Sequence, residues 1–398
     1  MKKIIPSMLV LVMLLSACSS VASTPEAVVL VPDTPTLAPT ATAVPPTETA
    51  VPTEAPTPTQ DPSPANYGPV DFPAGINPLT GLPVADPTLL ERRPISVKIQ
   101  MFPRGDRPPF GLSFADIVYD YYQNNGMTRF NAIFYGQDSE QVGPIRSARL
   151  LDKLLVTMYK ANFVFGSADQ KILNRIYNSD FYERTIVETP NNCPPLCRYD
   201  PNGYNYLMLN TTEVGAFMTA KGVNNGRQDL TGMTFQYQTP PGGSLGNQVL
   251  LRYSISAYAR WDYDAASGRY LRFQDTTEAM DATTEVHEPL IDRLTEQQLG
   301  AENVVVLLVK HSYIYKSGNS EVIEIDLIGT GKAFAFRDGQ IFEVQWNRLK
   351  SEDLLTLTNP DGTPFPLKQG VTWYQPIGLS TIMRQLDTGG WRFEMGFP

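Results

Sequence analysis

From residue 93 the chain reads as short alternations of apolar and polar residues separated by turn residues. "RPISVKIQ" (93–100) alternates with period two, as a strand with two unlike faces does. "ADIVYDYYQ" (115–123) and "RFNAIFYG" (129–136) repeat the pattern, and "NNGMT" between them carries an Asn-Gly turn signal, which predicts a hairpin. The period then changes. After "GPIRS", Leu150, Leu151, Leu154, Leu155, Met158 and Tyr159 recur at helical spacing, predicting a helix that opens near Ser147. "NFVFGSA" (162–168) predicts a buried strand. "DQKILNRIYN" (169–178) predicts a helix capped by Asp169, with Ile172, Leu173, Ile176 and Tyr177 on one face.

The later half is richer in strands. "NQVLLRYSI", "ARWDYD", "GRYLRFQ", "NVVVLLVKHSYIY", "EVIEIDLIG", "KAFAFRD", "IFEVQWNR" and "VTWYQPIG" all read as strands, with turns at "AASG" (265–268), Asp338-Gly339 and "PDG" (360–362). Only "LIDRLTEQQLG" (290–300) offers a helix there. The whole predicts an α+β fold with a mixed α/β N-terminal half, 69–238, and a strand-rich C-terminal half, 239–398.

The first 68 residues belong to a different regime. "MKK", a 12-residue apolar run "IIPSMLVLVMLL" and "LSAC" form the pattern of a signal peptide over 1–17. Twelve residues span roughly 18 Å as a helix, short of the ~30 Å hydrocarbon core. "LSAC" resembles the bacterial lipobox, whose Cys, here Cys18, is acylated and becomes the N-terminus. Residues 18–68 follow as a stalk: of the 41 residues 24–64, 11 are Pro and 10 are Thr, with no Lys or Arg. Such a tract cannot bury a core, and as an extended spacer it reaches on the order of 120 Å. The expected location is the outer face of the bacterial membrane, held by lipid.

Charge and cysteine count narrow the partners. With 32 basic and 41 acidic residues the net charge is −9, which gives no excess of cations for nucleic-acid binding. Apart from Cys18, only Cys193 and Cys197 remain, in "NNCPPLCRY"; outside the cytoplasm such a pair predicts a disulfide stapling a loop. A metal site would need about four ligands, and neither His287 nor His311 is near them in sequence. No metal or cofactor is expected.

Several stretches together resemble the YerB-like lipoproteins, a bacterial family of unknown function. They are "NPLTGLP" (77–83), "RPISVKI" (93–99), "GLSFADIVYDY" (111–121), "GMTRFNAIF" (126–134) and "VGPIRSAR" (142–149), then "RWDYDAASGRYLR", "NVVVLLV", "GTGKAFAFRDGQ" and "GVTWYQP". The resemblance spans nearly all of 75–378. It implies layered sheets with helices on one side, carried on an acylated N-terminus, and it implies no catalytic mechanism. This chain departs from the family at Gln100 and Met101, where an acidic residue and Asn are usual, and at "YNY" (204–206), where a family histidine is missing.

The candidate chemistry centres on "GPIRSAR". Ser147 at a helix start could cap free N–H groups, and a helix N-terminus favours anions. Arg146 and Arg149, three apart, would be neighbours on the first turn, and guanidiniums grip carboxylate or phosphate bidentately. Arg129, on the preceding strand, could join them. Asp116, Asp120 and Asp169 are either polar ligand contacts or the partners that would make these arginines ordinary scaffold. No GxSxG elbow neighbours either histidine, and "GTGKAF" lacks a phosphate-loop pattern. The leading reading is a membrane-anchored, non-enzymatic binding module for an anionic or polar envelope ligand such as a wall component. A hydrolase using carboxylates and a structural assembly partner are the alternatives.

Overall fold

The computed structural model describes residues 66–199, 206–318 and 320–396. The signal peptide, Cys18 and nearly all of the stalk lie outside the described residues, as do 204 and 205 of "YNY". The described residues belong to one compact unit, strand-rich with several sheets.

The strands of the first half are β1 (Ile95–Ile99), β2 (Ile117–Asn124), β3 (Met127–Phe134), β4 (Asn162–Phe165) and β5 (Thr185–Val187). β2 and β3 form the expected hairpin, with Asn125 and Gly126 both left-handed at φ 50° and 77°. β1 pairs antiparallel with β3 and parallel with β4, and β4 runs parallel to β5. On the other edge of β2, strand Thr372–Gly378 runs parallel to it, followed by Asn303–Ser317, Gly329–Arg337, Gln340–Arg348 and Thr356–Thr358. Five strands from before residue 238 and seven from after it therefore share one 12-stranded sheet. A second, 7-stranded sheet, centred on Gln248–Arg252, Tyr258–Asp264 and Arg269–Asp275, comes from the C-terminal half alone.

β2 is thereby covered on both faces, and seven of its eight residues are buried. On one face lies helix α1 (Leu150–Met158), where Tyr159 meets Tyr119 with hydroxyls 2.8 Å apart. On the other lies the second sheet, where Trp261 packs edge-on against Trp373 at 4.9 Å between ring centroids and Trp373 meets Phe130 at 5.1 Å. The order is helix, sheet, sheet. Helix α2 (Gln170–Tyr177) follows β4, capped by Asp169 as its sequence predicts, through a 2.8 Å bond from Lys171 N. A third helix, α3 (Val214–Ala220), has no counterpart among the predicted elements.

Two expectations fail. No helix forms over 290–300: Ile291 bridges Gln298, and Glu296 is left-handed at φ 58°. The reason is Asp292, buried, whose carboxylate accepts from Gly111 N, Ser113 N and Ser113 Oγ and so holds the segment as a tight turn against a distant loop. Nor does α1 open at Ser147. Residues 146–148 are extended because their backbone is claimed on two sides: Arg146 N donates to Lys98 O at 3.0 Å, Gly166 N to Arg146 O at 3.0 Å, and Ala148 N to Ser167 O at 2.8 Å. The helix starts at Leu150 with Arg149 as its N-cap. It runs nine residues to Met158, and Lys160, just past the Tyr159 cap, turns left-handed at φ 51°.

Candidate functional site

The pleat of β1–β3 sorts polar side chains onto two faces. Ser96, Lys98, Tyr121, Arg129 and Asn131 face α1, since Lys98 stands opposite Asn131 and Tyr121 opposite Arg129 in the ladders. Asp120, opposite Phe130, faces the second sheet.

On the helix face the organising group is Asp152, in the first turn of α1. One carboxylate oxygen accepts from Arg149 N at 2.6 Å, doing the capping that Ser147 does not. The other accepts from Asn131 Nδ2 at 2.8 Å and from Tyr121 OH, and lies 3.4 Å from Lys98 Nζ. Lys98 and Asp152 are both fully buried. Burial pushes the Lys98 ammonium down to about 7, against the pull of Asp152.

Above this buried pair lie the three arginines. Arg129 Nη1 donates to Ser147 O at 2.8 Å, and Arg149 Nη1 donates to the same oxygen at 3.2 Å and to Ala148 O at 2.8 Å. Arg149 Nη2 reaches Asn124 Oδ1 at 3.4 Å. Ser147 O is left open to them because its residue lies between the two backbone-bonded residues 146 and 148. Among the described residues, neither Arg129 nor Arg149 forms an ion pair with a carboxylate. Arg129 Nε is buried without a hydrogen-bond partner. Burial first, then the nearby charges of Arg149 and Arg146, hold the Arg129 guanidinium well below its usual value. Arg146 lies 3.7 Å from Asp106, which also accepts from Gln100. Ser147 and Ser167 share a hydroxyl contact at 3.0 Å on the open side, and Arg129, Arg146 and Arg149 all keep some solvent exposure.

The expected residues thus divide. Arg129, Arg146, Ser147 and Arg149 come together, although on an extended segment and not on a helical turn. Asp169, exposed at the start of α2, lies near enough for its charge to favour that of Arg149. Asp116 and Asp120 are elsewhere. Asp116 is buried and accepts from Asn77 Nδ2 at 2.7 Å, Tyr135 N at 2.6 Å and Gly136 N at 3.0 Å; burial raises it to about 6. Asp120 meets Arg272 at 2.7 Å, both buried. Cys193 and Cys197 are joined as a disulfide, their Cα atoms 4.8 Å apart.

Lys98, Tyr121, Asn131 and Asp152 are missing from the sequence-derived set. Lys98, Tyr121 and Asn131 share one face of the alternating strands and Asp152 lies in the first turn of α1, and no local pattern in the sequence shows that the two meet. The other features of the surface do not join this site. A groove of about 910 Å³ lies beside the exposed strand Ile382–Gln385, lined by Ile255, Met280, Ile382 and Met395, and none of the expected site residues lines it. His287 and His311 are both pushed down to about 4 by burial, and among the described residues no three of His, Cys, Asp and Glu gather as a metal ion would need.

The two large sheets, with helices against one of them, form an α+β body whose sequence matches a known family. The chain belongs to the YerB-like family of unknown function: models described as "Protein of unknown function (DUF3048) N-terminal domain" and "C-terminal domain" match residues 79–219 and 249–374. It is similar to "Putative lipoprotein YerB" of Bacillus subtilis (strain 168), 26% identical over 312 residues, which is 74% of this chain and 84% of that protein. The crystal structure of YerB protein from Bacillus subtilis shares the fold with a TM-score of 0.61 at 24% identity, over 76% of this chain and 96% of that one.

Proposed function

We propose that this chain is a lipid-anchored extracytoplasmic protein whose body binds an anionic envelope ligand at Arg129, Arg146 and Arg149. One observation carries the reading. Two guanidiniums, from different elements, converge on the Ser147 carbonyl at a partly exposed surface without a carboxylate between them. Arg348, fully buried, is likewise held by backbone carbonyls with no ion pair among the described residues, so what sets Arg129 and Arg149 apart is that two such guanidiniums stand together at a surface open to solvent. The rival reading of carboxylate-driven hydrolysis loses its support, because Asp116 and Asp120 are buried and already bonded and Asp169 caps a helix. Binding of anionic wall fragments to wild type, weakened at least tenfold in Arg129→Gln and Arg149→Gln, is the expected result. Equal binding by all three proteins removes the site.

The anchor rests on the lipobox at Cys18 and on the lipoprotein name of the relative. Among the described residues no helix is long and apolar enough to cross a membrane. Two or more acyl chains on Cys18 make a stable attachment, since each buried CH₂ contributes about 0.8 kcal/mol. Cys18→Ala should leave an uncleaved precursor or release the protein from the membrane fraction. An unmodified N-terminal mass on the wild-type protein would remove this part of the proposal.

A further inference from the structure

We infer that the anion recognised at the arginine cluster is a phosphoryl dianion, inorganic phosphate or a phosphomonoester, in preference to a carboxylate; this rests on the anion-site reading above. The charge inventory comes first. Lys98 is matched by Asp152, and Arg146 lies against Asp106. Arg129 and Arg149 form no carboxylate ion pair among the described residues; Asp152 favours both charges and Asp169 that of Arg149 only from a distance, so two positive charges stand together without a direct counter-ion. A monoanion neutralises one of them. A dianion neutralises both and removes the repulsion that Arg149 and Arg146 exert on Arg129.

Donor geometry points the same way. Arg129 Nη1 and Arg149 Nη1 share one acceptor, Ser147 O, which holds the two guanidiniums side by side, Arg149 spending further donors on Ala148 O and Asn124 Oδ1. The Ser147 and Ser167 hydroxyls, 3.0 Å apart, open onto the same segment. A planar carboxylate offers two oxygens, which a single guanidinium fork can fill. A phosphoryl group offers three outward oxygens in a tetrahedral arrangement, enough for two forks from different directions and a hydroxyl.

Such a group could be soluble or could stand on a lipid headgroup, and the test separates the two. The full chain in non-ionic detergent is titrated at fixed ionic strength with inorganic phosphate, glucose 6-phosphate, dimethyl phosphate, acetate and succinate. Separately, it is mixed with phosphatidylcholine vesicles with and without phosphatidic acid. The expected result is binding of phosphate or the sugar phosphate at least tenfold tighter than dimethyl phosphate, acetate or succinate. Capture by phosphatidic acid vesicles without binding of the soluble esters would support the same chemistry with a lipid source. Arg149→Gln, and the milder Arg149→Lys that keeps the charge but loses the fork, should each weaken the bound ester at least tenfold. Succinate or acetate bound as tightly as phosphate overturns the phosphoryl assignment and leaves the anion site standing. No binding of any of these probes overturns both.

Discussion

Two guanidinium sites stand back to back across the β2–β3 hairpin, and they are built by opposite rules. Behind Asp120, Arg272 is fully buried, donates to the Asp120 carboxylate at 2.7 Å and to Gln274 Oε1 at 2.8 Å, and lies 5.0–5.8 Å from the ring centroids of Trp261, Trp373 and Phe130. Its charge has a counter-ion, amide partners and aromatic faces, which is what a cation withdrawn from water requires. On the helix side, Arg129 and Arg149 bond mainly to backbone carbonyls and repel each other. Carbonyl dipoles orient a guanidinium but do not cancel its charge. In charge the first site is finished within the chain, although Arg272 Nη1 and Asp120 Oδ1 lack hydrogen-bond partners; on the reading proposed above, the second is completed by something negative from outside it.

The largest expected effect falls on the finished site. Arg272→Ala leaves the Asp120 carboxylate buried and unpaired, and should cost about 3–5 kcal/mol in chemical unfolding. A cost under 1 kcal/mol would erase the contrast between the two sites. On the helix face the same logic applies to Lys98 alone. Lys98→Met strips Asp152 of its buried cation while leaving its bonds from Asn131 and Arg149 N, and should cost about 3 kcal/mol, near the low end of that range.

Asp116 supplies a pH test. Its carboxyl titrates near 6 in the folded chain against an ordinary value of 3.8, so the folded state holds that proton more tightly. The stability it contributes is fully present below about pH 4 and is lost as pH rises through 6. Asn at 116 cannot ionise. The stability difference between Asp116→Asn and wild type should therefore shift toward the variant by at most about 3 kcal/mol from pH 4 to 7. A difference that stays constant across that range would show that Asp116 is not the carboxyl held protonated. The smallest effect belongs to the unfinished site: Arg129→Gln and Arg149→Gln should each change stability by less than about 1 kcal/mol, losing one and two carbonyl bonds respectively but relieving repulsion. A loss of 3 kcal/mol in both would make them scaffold.

The alternation of β1, β2 and β3, the Asn125-Gly126 turn, the helical spacing from Leu150 to Tyr159, though not where the helix opens, and the cap at Asp169 were all legible, because each is written in neighbouring residues. Arg129, Arg146, Ser147 and Arg149 were legible as a group for the same reason, lying on adjoining segments. What could not be read depends on distant partners. Asp292 sits in a helix-like pattern, but the N–H groups of Gly111 and Ser113 lie about 180 residues away in sequence, and they decide its fold. Asp120 looks equivalent to Asp116 by spacing, yet its partner Arg272 lies in another sheet. Lys98 drew no reading of its own, because nothing near it announces that α1 will cover that face with Asp152 beneath it.

The central claim is that the arginine cluster is completed by an external anion, and thermal unfolding at constant ionic strength tests it most directly. Wild type and the Arg129→Gln/Arg149→Gln double variant are melted with and without inorganic phosphate. Ligand at about 100 times its Kd stabilises a folded protein by about 2.7 kcal/mol. The account predicts a midpoint that climbs with phosphate in wild type and stays fixed in the double variant, whose midpoint without phosphate matches wild type within a few degrees. Equal phosphate dependence in the two proteins, or none in either with a much lower midpoint in the variant, would contradict it.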